Sequence, residues 1–239
     1  GLLVQFITKA MSADFVPRLS QVSQNTTEVN RLVNEQTEIG ILLALPGVMA
    51  TTILAPLVIR ILYSVDFAPA AELMPWFLLG VMCQIVNWPM GMIVLAQGHS
   101  KVFALMNSIS VPLHLAWVIT LFHYHGLLGC AIGFALHNIL YAVGMLSFLR
   151  VRYTFMWSLA VKRMLLVVVT LFFIRALLRL CVIDPELYWV GAGLVACLSG
   201  LYSVRGLVRR MSGNLRVHRL LSRLPISIRK LLGSEEPSL

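Results

Sequence analysis

Residues 39–63 read IGILLALPGVMATTILAPLVIRILY, a run of 25 residues in which Arg60 is the only charge. About 20 mostly apolar residues suffice to cross a bilayer as a helix, so this stretch predicts a membrane span. Six further stretches have the same character, and they lie at roughly 1–17, 73–97, 102–122, 126–149, 161–182 and 187–204. The predicted fold class is all-α, a polytopic transmembrane helical bundle of about seven spans, the first of them truncated at its start.

Outward from these spans, the lysines and arginines fall at every second boundary. The segments 18–38, 98–101 and 150–163 and the tail from residue 205 carry them, whereas 63–72, 123–126 and 182–186 carry none. All but four of the 19 basic residues then lie on one side; the exceptions within spans are Lys9, Arg60, Arg175 and Arg179. This is the positive-inside pattern. It predicts a multi-pass protein of the bacterial inner (plasma) membrane with a cytoplasmic C-terminus.

The overall composition agrees with a membrane location. The 239 residues are 59% hydrophobic and only 12% charged, against about a quarter charged in soluble domains. The net charge of +9 favours membrane lipids as partners and argues against nucleic acid, because the basic residues flank spans instead of forming a soluble fold. Residues 205–239 are predicted as a basic, amphipathic cytoplasmic tail. Since the chain opens at Gly1 inside an apolar stretch, we expect it to be a piece of a longer membrane protein.

A short helix is predicted to precede the second span on the cytoplasmic side. Asn25 stands three residues before Glu28, the spacing of a capping box at a helix N-terminus. Arg31 and Glu35 follow at the i,i+4 spacing of a helical ion pair. The helix is expected to lead directly into the span at 39–63.

No set of residues in the sequence is typical of a catalytic centre. The sequence has no glycine-rich phosphate loop, no G-x-S-x-G and no paired carboxylates inside a span. The four cysteines form no C-x-x-C pair and are predicted to be buried, and the histidines have no metal-ligand spacing. We therefore expect no enzyme activity, no cofactor and no metal.

Ionisable residues inside spans are the candidates for function, since each costs several kcal/mol in the membrane. Lys9 lies near mid-bilayer, and Asp14, five residues further on, is a second cavity candidate. Lys9 is expected to face a polar cavity and to hold an anionic headgroup, with a structural ion pair or snorkelling as the alternative. Arg60 and Asn87 are further cavity candidates, with snorkelling and interhelical hydrogen bonding as their alternatives.

Arg175 and Arg179 share a helix face at i,i+4 near the end of a span. Asp184 and Glu186 follow closely in the sequence. We therefore expect these four residues to form structural ion pairs.

Several ordered motifs resemble one family of transporters. Residues 11–20, MSADFVPRLS, are similar to the helix end of polysaccharide export flippases, which typically closes on a DFYPRLS-like motif. Residues 29–40, VNRLVNEQTEIG, resemble their next cytoplasmic helix. The resemblance continues through 55–63 (APLVIRILY), 67–70 (FAPA), Trp76-Phe77, Gly80, Trp88-Pro89 and 95–98 (LAQG). Over about residues 4–150 the chain thus resembles the Wzx-type O-antigen translocases of the multidrug/oligosaccharidyl-lipid/polysaccharide (MOP) exporter superfamily.

The resemblance implies two helical lobes around a central cavity. Residues 1–150 would form the C-terminal lobe, 151–204 two additional transmembrane helices, and 205–239 the tail; the N-terminal lobe would be a partner absent from this chain. The implied function is translocation of a polyprenyl-diphosphate-linked oligosaccharide by alternating access. A cation-coupled multidrug exporter of the same superfamily and a membrane-embedded glycan ligase or acyltransferase remain as alternatives. Short outer loops disfavour the enzyme, and few acidic residues within spans disfavour the drug exporter.

Overall fold

The structure, a computed structural model, describes residues 14–62, 67, 69–181 and 185–211. Within these residues the chain forms seven helices and no strand. Helix α1 covers residues 14–21 of the described part. The others are α2 (Thr26–Leu62), α3 (Ala70–Ala96), α4 (Ser100–His125), α5 (Leu127–Tyr153), α6 (Leu159–Cys181) and α7 (Pro185–Met211).

Helices α2 to α7 are all long and apolar enough to cross a membrane. The chain is therefore a multi-pass membrane protein with an all-helical fold, as the sequence predicts. Six predicted spans correspond to these helices, with ends that differ by one or a few residues or reach residues outside the described part, and most of the predicted span at 1–17 lies outside the described residues. The predicted tail helix beyond residue 211 lies outside them as well.

Helix α2 begins where the sequence predicts. The Glu28 backbone N–H donates to the side-chain oxygen of Asn25 at 3.2 Å, which caps the helix. The Glu28 carboxylate pairs with Arg31 at 2.8 Å instead of returning to the cap, so the box closes on one side only. Arg31 also reaches Glu35 at 2.7 Å, as predicted. The 37 residues of α2 extend about 55 Å, longer than a bilayer core, so the predicted short helix and the second span are one continuous helix.

Helix α2 is the element that joins two groups of helices. On one side it contacts α3, which packs on α5, and α4 packs mainly on α5. On its other side it contacts the α6–α7 pair. Ile41, Leu45 and Met49 on α2 and Val94 on α3 are all fully buried, so the apolar core lies along α2. Helix α4, with no buried residue, forms the edge of the bundle.

Small residues allow α4 and α5 to pack closely. The two helices are joined only through Gly126, whose φ of +60° suits glycine. A Cβ on Gly129 would lie 1.9 Å from the Leu121 carbonyl oxygen, and one on Gly133 would lie 3.1 Å from the Val118 Cα. Gly129 and Gly133 therefore form a G-x-x-x-G contact, a spacing common between membrane helices.

The segments rich in lysine and arginine gather at one end of the bundle, the basic end. Two polar residues of α2, Asn34 and Glu38, bond to the connection between α5 and α6 there. Asn34 donates to the Met156 carbonyl at 3.0 Å and accepts from the Ser158 N–H at 2.7 Å. The Ser158 hydroxyl donates to Glu38 at 3.1 Å, and Glu38 forms an ion pair with Arg210 of α7. Residues more than 100 positions apart are thus held together at this end.

At the opposite end, Pro69 just before α3 lines one cavity together with Leu128 in the first turn of α5 and Tyr188 in the first turn of α7. The helix starts that follow connections without lysine or arginine therefore meet at this end. The alternation of basic segments in the sequence thus corresponds to two separate ends in the fold. The cysteine prediction is partly wrong: Cys83 and Cys130 are half-buried, but Cys181 and Cys197 are exposed. Their positions fall on outward faces of α6 and α7, where a small apolar side chain suits a lipid-facing surface.

Candidate functional site

A polar pocket lies between the middle parts of α3, α4 and α5. Its volume is about 290 Å³, close to the lower end of the roughly 300–1,000 Å³ of small-molecule sites. Amide, imidazole, hydroxyl and aromatic side chains dominate its lining. They come from Gln84, Asn87 and Trp88 on α3, Asn107, Ser110 and His114 on α4, and Phe134, His137, Asn138 and Tyr141 on α5.

Two histidines form the centre of this polar pocket. The rings of His114 and His137 stack with their centroids 4.7 Å apart and an angle of 18° between the planes. The Ser110 hydroxyl lies 2.9 Å from Nε2 of His137. This contact fixes the ring of His137 across the α4–α5 interface, since a hydroxyl can donate to or accept from an imidazole nitrogen.

Two buried asparagines lie beside the histidines. The Asn87 amide donates to the backbone carbonyl of Asn138 at 3.2 Å and so connects α3 to α5. The Asn138 amide donates to the Phe134 backbone carbonyl of its own helix at 2.8 Å. Asn87 therefore makes the kind of interhelical hydrogen bond that polar residues in spans commonly make.

Several polar atoms of this pocket have no hydrogen-bond partner among the described residues. They are Oδ1 of Asn87, Nε2 of His114 and Nδ1 of His137, each shielded from solvent. A buried polar atom without a partner costs about 1–3 kcal/mol. These shielded atoms are not presented to a solute, but the exposed amide of Asn107 on the lining can both donate and accept.

A second cavity, the arginine pocket, lies at the opposite end of the bundle. Its volume is about 970 Å³, and the ends of α2, α3, α5, α6 and α7 surround it. Arg60, Arg175 and Arg179 line it together with one carboxylate, Glu72. Trp76, Tyr188 and apolar residues complete the lining, among them Pro56, Ile59, Leu128 and Leu180. This cavity combines concentrated positive charge with an apolar rim.

The four predicted cavity residues do not meet in one place. Asn87 lines the polar pocket and Arg60 lines the arginine pocket. Asp14 lines neither; it is exposed on α1 and pairs with Arg18 at 3.1 Å. Lys9 lies outside the described residues, so its predicted position facing a cavity stays a prediction.

The predicted pairing of Arg175 and Arg179 with Asp184 and Glu186 is also untested, because neither acidic side chain is among those described. Other members of the two cavities had a usable signal in the sequence. Asn107, Ser110 and His114 recur at spacings of three and four, which places them on one face of a helix.

No protein-family model and no curated protein matches this chain. The side-chain chemistry of the two cavities and the ordered motifs described above are the features of the chain that bear on its function.

Proposed function

We propose that this chain belongs to a transporter that moves a polyprenyl-diphosphate-linked oligosaccharide across the bacterial inner membrane by alternating access. The observation that carries the proposal is the polar pocket at mid-span. Sugar hydroxyls lose their hydrogen bonds to water when they enter hydrocarbon, at a cost of several kcal/mol each. A cavity that supplies replacement donors and acceptors at that depth removes this barrier.

The chemistry of the lining suits a neutral, hydroxyl-rich solute. Side-chain amides such as Asn87 and Asn107 can both donate and accept, as hydroxyls do. The aromatic side chains of Trp88 and Tyr141 offer flat apolar surfaces next to these amides. A single sugar ring is a better match to about 290 Å³ than a whole oligosaccharide, so we regard the pocket as one subsite.

The subsite opens onto the bundle surface, since Asn107 lines it and is exposed. In the proposed transporter a second lobe, the predicted N-terminal one, would cover this opening and complete a larger cavity. Residues 1–150 would then act as the C-terminal lobe, and α6 and α7 would be additions to it.

The lining also bears on the alternatives. Among the described residues that line the polar pocket there is no Asp or Glu. A cation-coupled drug exporter is expected to place a carboxylate in such a cavity, and a glycan ligase or acyltransferase needs an activated nucleophile or an acid–base pair. Neutral polar groups are what glycan passage requires, so the flippase is the best supported function.

Substitutions in the full-length protein test this proposal. Asn107→Ala combined with Ser110→Ala removes two polar groups of the subsite. We expect glycan export by a flippase-null strain carrying this variant to fall about tenfold while membrane abundance stays unchanged. Thr51→Val is the matched control, because Thr51 is exposed on α2 and bonds only to its own helix, at the Gly47 carbonyl. Normal export by the double variant would refute the role of the pocket.

The proposed orientation places the basic end in the cytoplasm, following the positive-inside rule. Two exposed residues at the two ends of α4 test it, Ser100 and Tyr124. In a cysteine-free background, a membrane-impermeant thiol reagent added to intact spheroplasts should label Tyr124→Cys and spare Ser100→Cys. The reverse labelling would invert the topology.

A further inference from the structure

A third cavity, the basic-end cavity, lies among the helix connections at the basic end of the bundle. Its volume is about 270 Å³, and its lining comes from the turn and first residues of α2, from the α3–α4 connection and from the end of α5. The buried Val29 and Ile93 are the aliphatic residues of the lining. The other lining residues each carry a hydroxyl, an amide, an imidazole or a guanidinium group, so the cavity is polar on nearly every side.

Hydrogen bonds between distant segments fix the walls of this cavity. The Gln97 side-chain amide donates to the Ser23 carbonyl, which joins the α3–α4 connection to the turn before α2. The Tyr153 hydroxyl lies 2.7 Å from Nδ1 of His99, which joins the same connection to the end of α5. Three connections that are far apart in the sequence thus form one built cavity.

The basic-end cavity has an uncompensated positive charge. Arg152 lines it, and there is no Asp or Glu among the described residues of the lining. The ion pairs of the described residues involve other arginines, among them Arg31 and Arg210. Glu28, the carboxylate next to Val29 in the sequence, is paired with Arg31 at 2.8 Å. Arg152 therefore has no carboxylate partner among the described residues, and the cavity favours an anion.

Further donors stand beside Arg152. When Nδ1 of His99 accepts from the Tyr153 hydroxyl, the ring proton lies on Nε2, which is then a donor. Thr26 is the first residue of α2 and His99 directly precedes α4, so the partial positive charges of two helix N-termini add to the charge of the guanidinium. The walls of the cavity thus supply donors from several directions.

A phosphate group fits this arrangement better than a carboxylate does. Phosphate presents three acceptor oxygens and a charge of up to −2, so it can accept from more than one wall at once. The planar fork of arginine donates two parallel hydrogen bonds to it, and such charge-assisted bonds are about twice as strong as neutral ones. A carboxylate has only two acceptor oxygens.

The lining also limits what the phosphate is attached to. Gln24, Thr26 and Thr154 are exposed at the cavity and offer amide and hydroxyl groups, which suit a polar remainder. The two aliphatic residues are buried in the wall, so the cavity has no apolar surface along which a lipid chain can extend. Its 270 Å³ lies just below the roughly 300–1,000 Å³ of small-molecule sites, which indicates a small ligand.

We propose that the basic-end cavity binds a small, soluble phosphate ester with a hydroxyl-rich remainder. Arg152 holds the phosphate, and the amide and hydroxyl groups of the lining hold the remainder. The ligand bonds to three helix connections at once, so it stabilises the basic end of the bundle. The polar pocket and the arginine pocket play no part in this inference, which does not rest on the proposed glycan transport.

A binding experiment with four probes tests the ligand class. The full chain in neutral detergent is titrated calorimetrically with glucose 1-phosphate, glucuronate, glucose and dodecyl phosphate, each against protein-free micelles. Glucose 1-phosphate should bind saturably, and at least tenfold more tightly than each of the other probes. Equal binding of glucuronate would overturn the phosphate assignment. Equal or tighter binding of dodecyl phosphate would overturn the soluble ligand, and equal binding of glucose would overturn the anion site.

Two charge-neutral variants locate the site. Arg152→Gln should weaken glucose 1-phosphate binding about tenfold, the loss expected for a charge-assisted hydrogen bond. Arg150→Gln is the matched control, because Arg150 is also exposed in the last turn of α5 but does not line the cavity. Residues at i,i+2 face different sides of a helix, so this variant should bind normally. Unchanged binding by Arg152→Gln, or an equal loss in Arg150→Gln, would refute the site.

Discussion

The two ends of this bundle treat their charged residues in opposite ways. At the basic end, the buried Glu38 has Arg210 and Ser158 as partners, and Asn34 bonds to both sides of the α5–α6 connection. At the opposite end, three arginines face a cavity of about 970 Å³. The first arrangement binds the chain to itself, whereas the described lining of the second contains one carboxylate, Glu72, for the three arginines.

This difference separates a structural role from a binding role by a physical criterion. A buried polar group with an internal partner contributes to stability, and its loss leaves the partner unsatisfied. Replacing a group that faces a cavity changes the stability of the protein little, but it removes a contact with the ligand. The polar pocket combines both roles, since Asn87 bonds to Asn138 while its own oxygen stays without a described partner.

The largest effect on stability is expected at Glu38. Glu38→Ala leaves Arg210 and the Ser158 hydroxyl without their acceptor and should lower the free energy of unfolding by about 3 kcal/mol. Glu35→Ala, one turn earlier, removes the half-exposed pair with Arg31 and a charge interaction with Arg210, and it should cost less than about 1 kcal/mol. Denaturant unfolding in detergent measures both changes. Equal losses of unfolding free energy in the two variants would contradict the different roles assigned to the buried Glu38 and the half-exposed Glu35.

The next effect concerns the helix contact that frames the polar pocket. Gly129→Ala places a Cβ against the Leu121 carbonyl, and because that atom belongs to backbone, relief requires the helices to separate. We expect a loss of about 2 kcal/mol. Gly144→Ala is the control on the same helix, since a Cβ there has nothing within 4 Å. A similar melting temperature for the two variants would contradict the close α4–α5 packing.

Asn34 tests the hydrogen bonds between α2 and the α5–α6 connection. Asn34→Ala removes its bonds to Met156 and Ser158 and should cost about 1–2 kcal/mol. Hydrogen exchange should increase first at the Ser158 amide, which loses its acceptor. Unchanged protection of that amide would show that these hydrogen bonds contribute little to the stability of the basic end.

The smallest change in stability is expected in the arginine pocket. Arg179→Gln removes one of two like charges at i,i+4, so stability without ligand should stay within about 0.5 kcal/mol. Thermal unfolding of the unaltered chain and of the variant in detergent measures this change. A large loss of stability without ligand would show that Arg179 has a structural role.

The sequence predicts the elements of this fold better than their contacts. The spans follow from apolar length, and Asn25 follows from a local capping pattern. The meeting of Asn34 with Ser158 depends on which face of α2 the α5–α6 connection reaches, and no local pattern encodes that. The same reason explains why Arg60 and Arg175, both noticed as charges within spans, were not predicted to share a cavity.

Local competition and missed patterns account for the remaining differences. Glu28 was expected to close a capping box, but Arg31 lies one turn away and takes its carboxylate. Gly129 and Gly133 have the spacing of a close helix contact, so the tight α4–α5 packing was readable from the sequence. Asn87 and Arg60 line different cavities, one in the middle of the bundle and the other at its end.

The central claim is that the polar pocket recognises the glycan of a lipid-linked oligosaccharide. The most direct test compares the affinity of the full-length protein for that lipid with its affinity for the same polyprenyl diphosphate without sugars. We predict that the glycan increases affinity about tenfold, and that Asn107→Ala with Ser110→Ala abolishes this preference. Thr51→Val, the control used above, should bind both lipids as the unaltered protein does and keep the preference. An unaltered preference for the glycan in the polar-pocket variant would contradict the account.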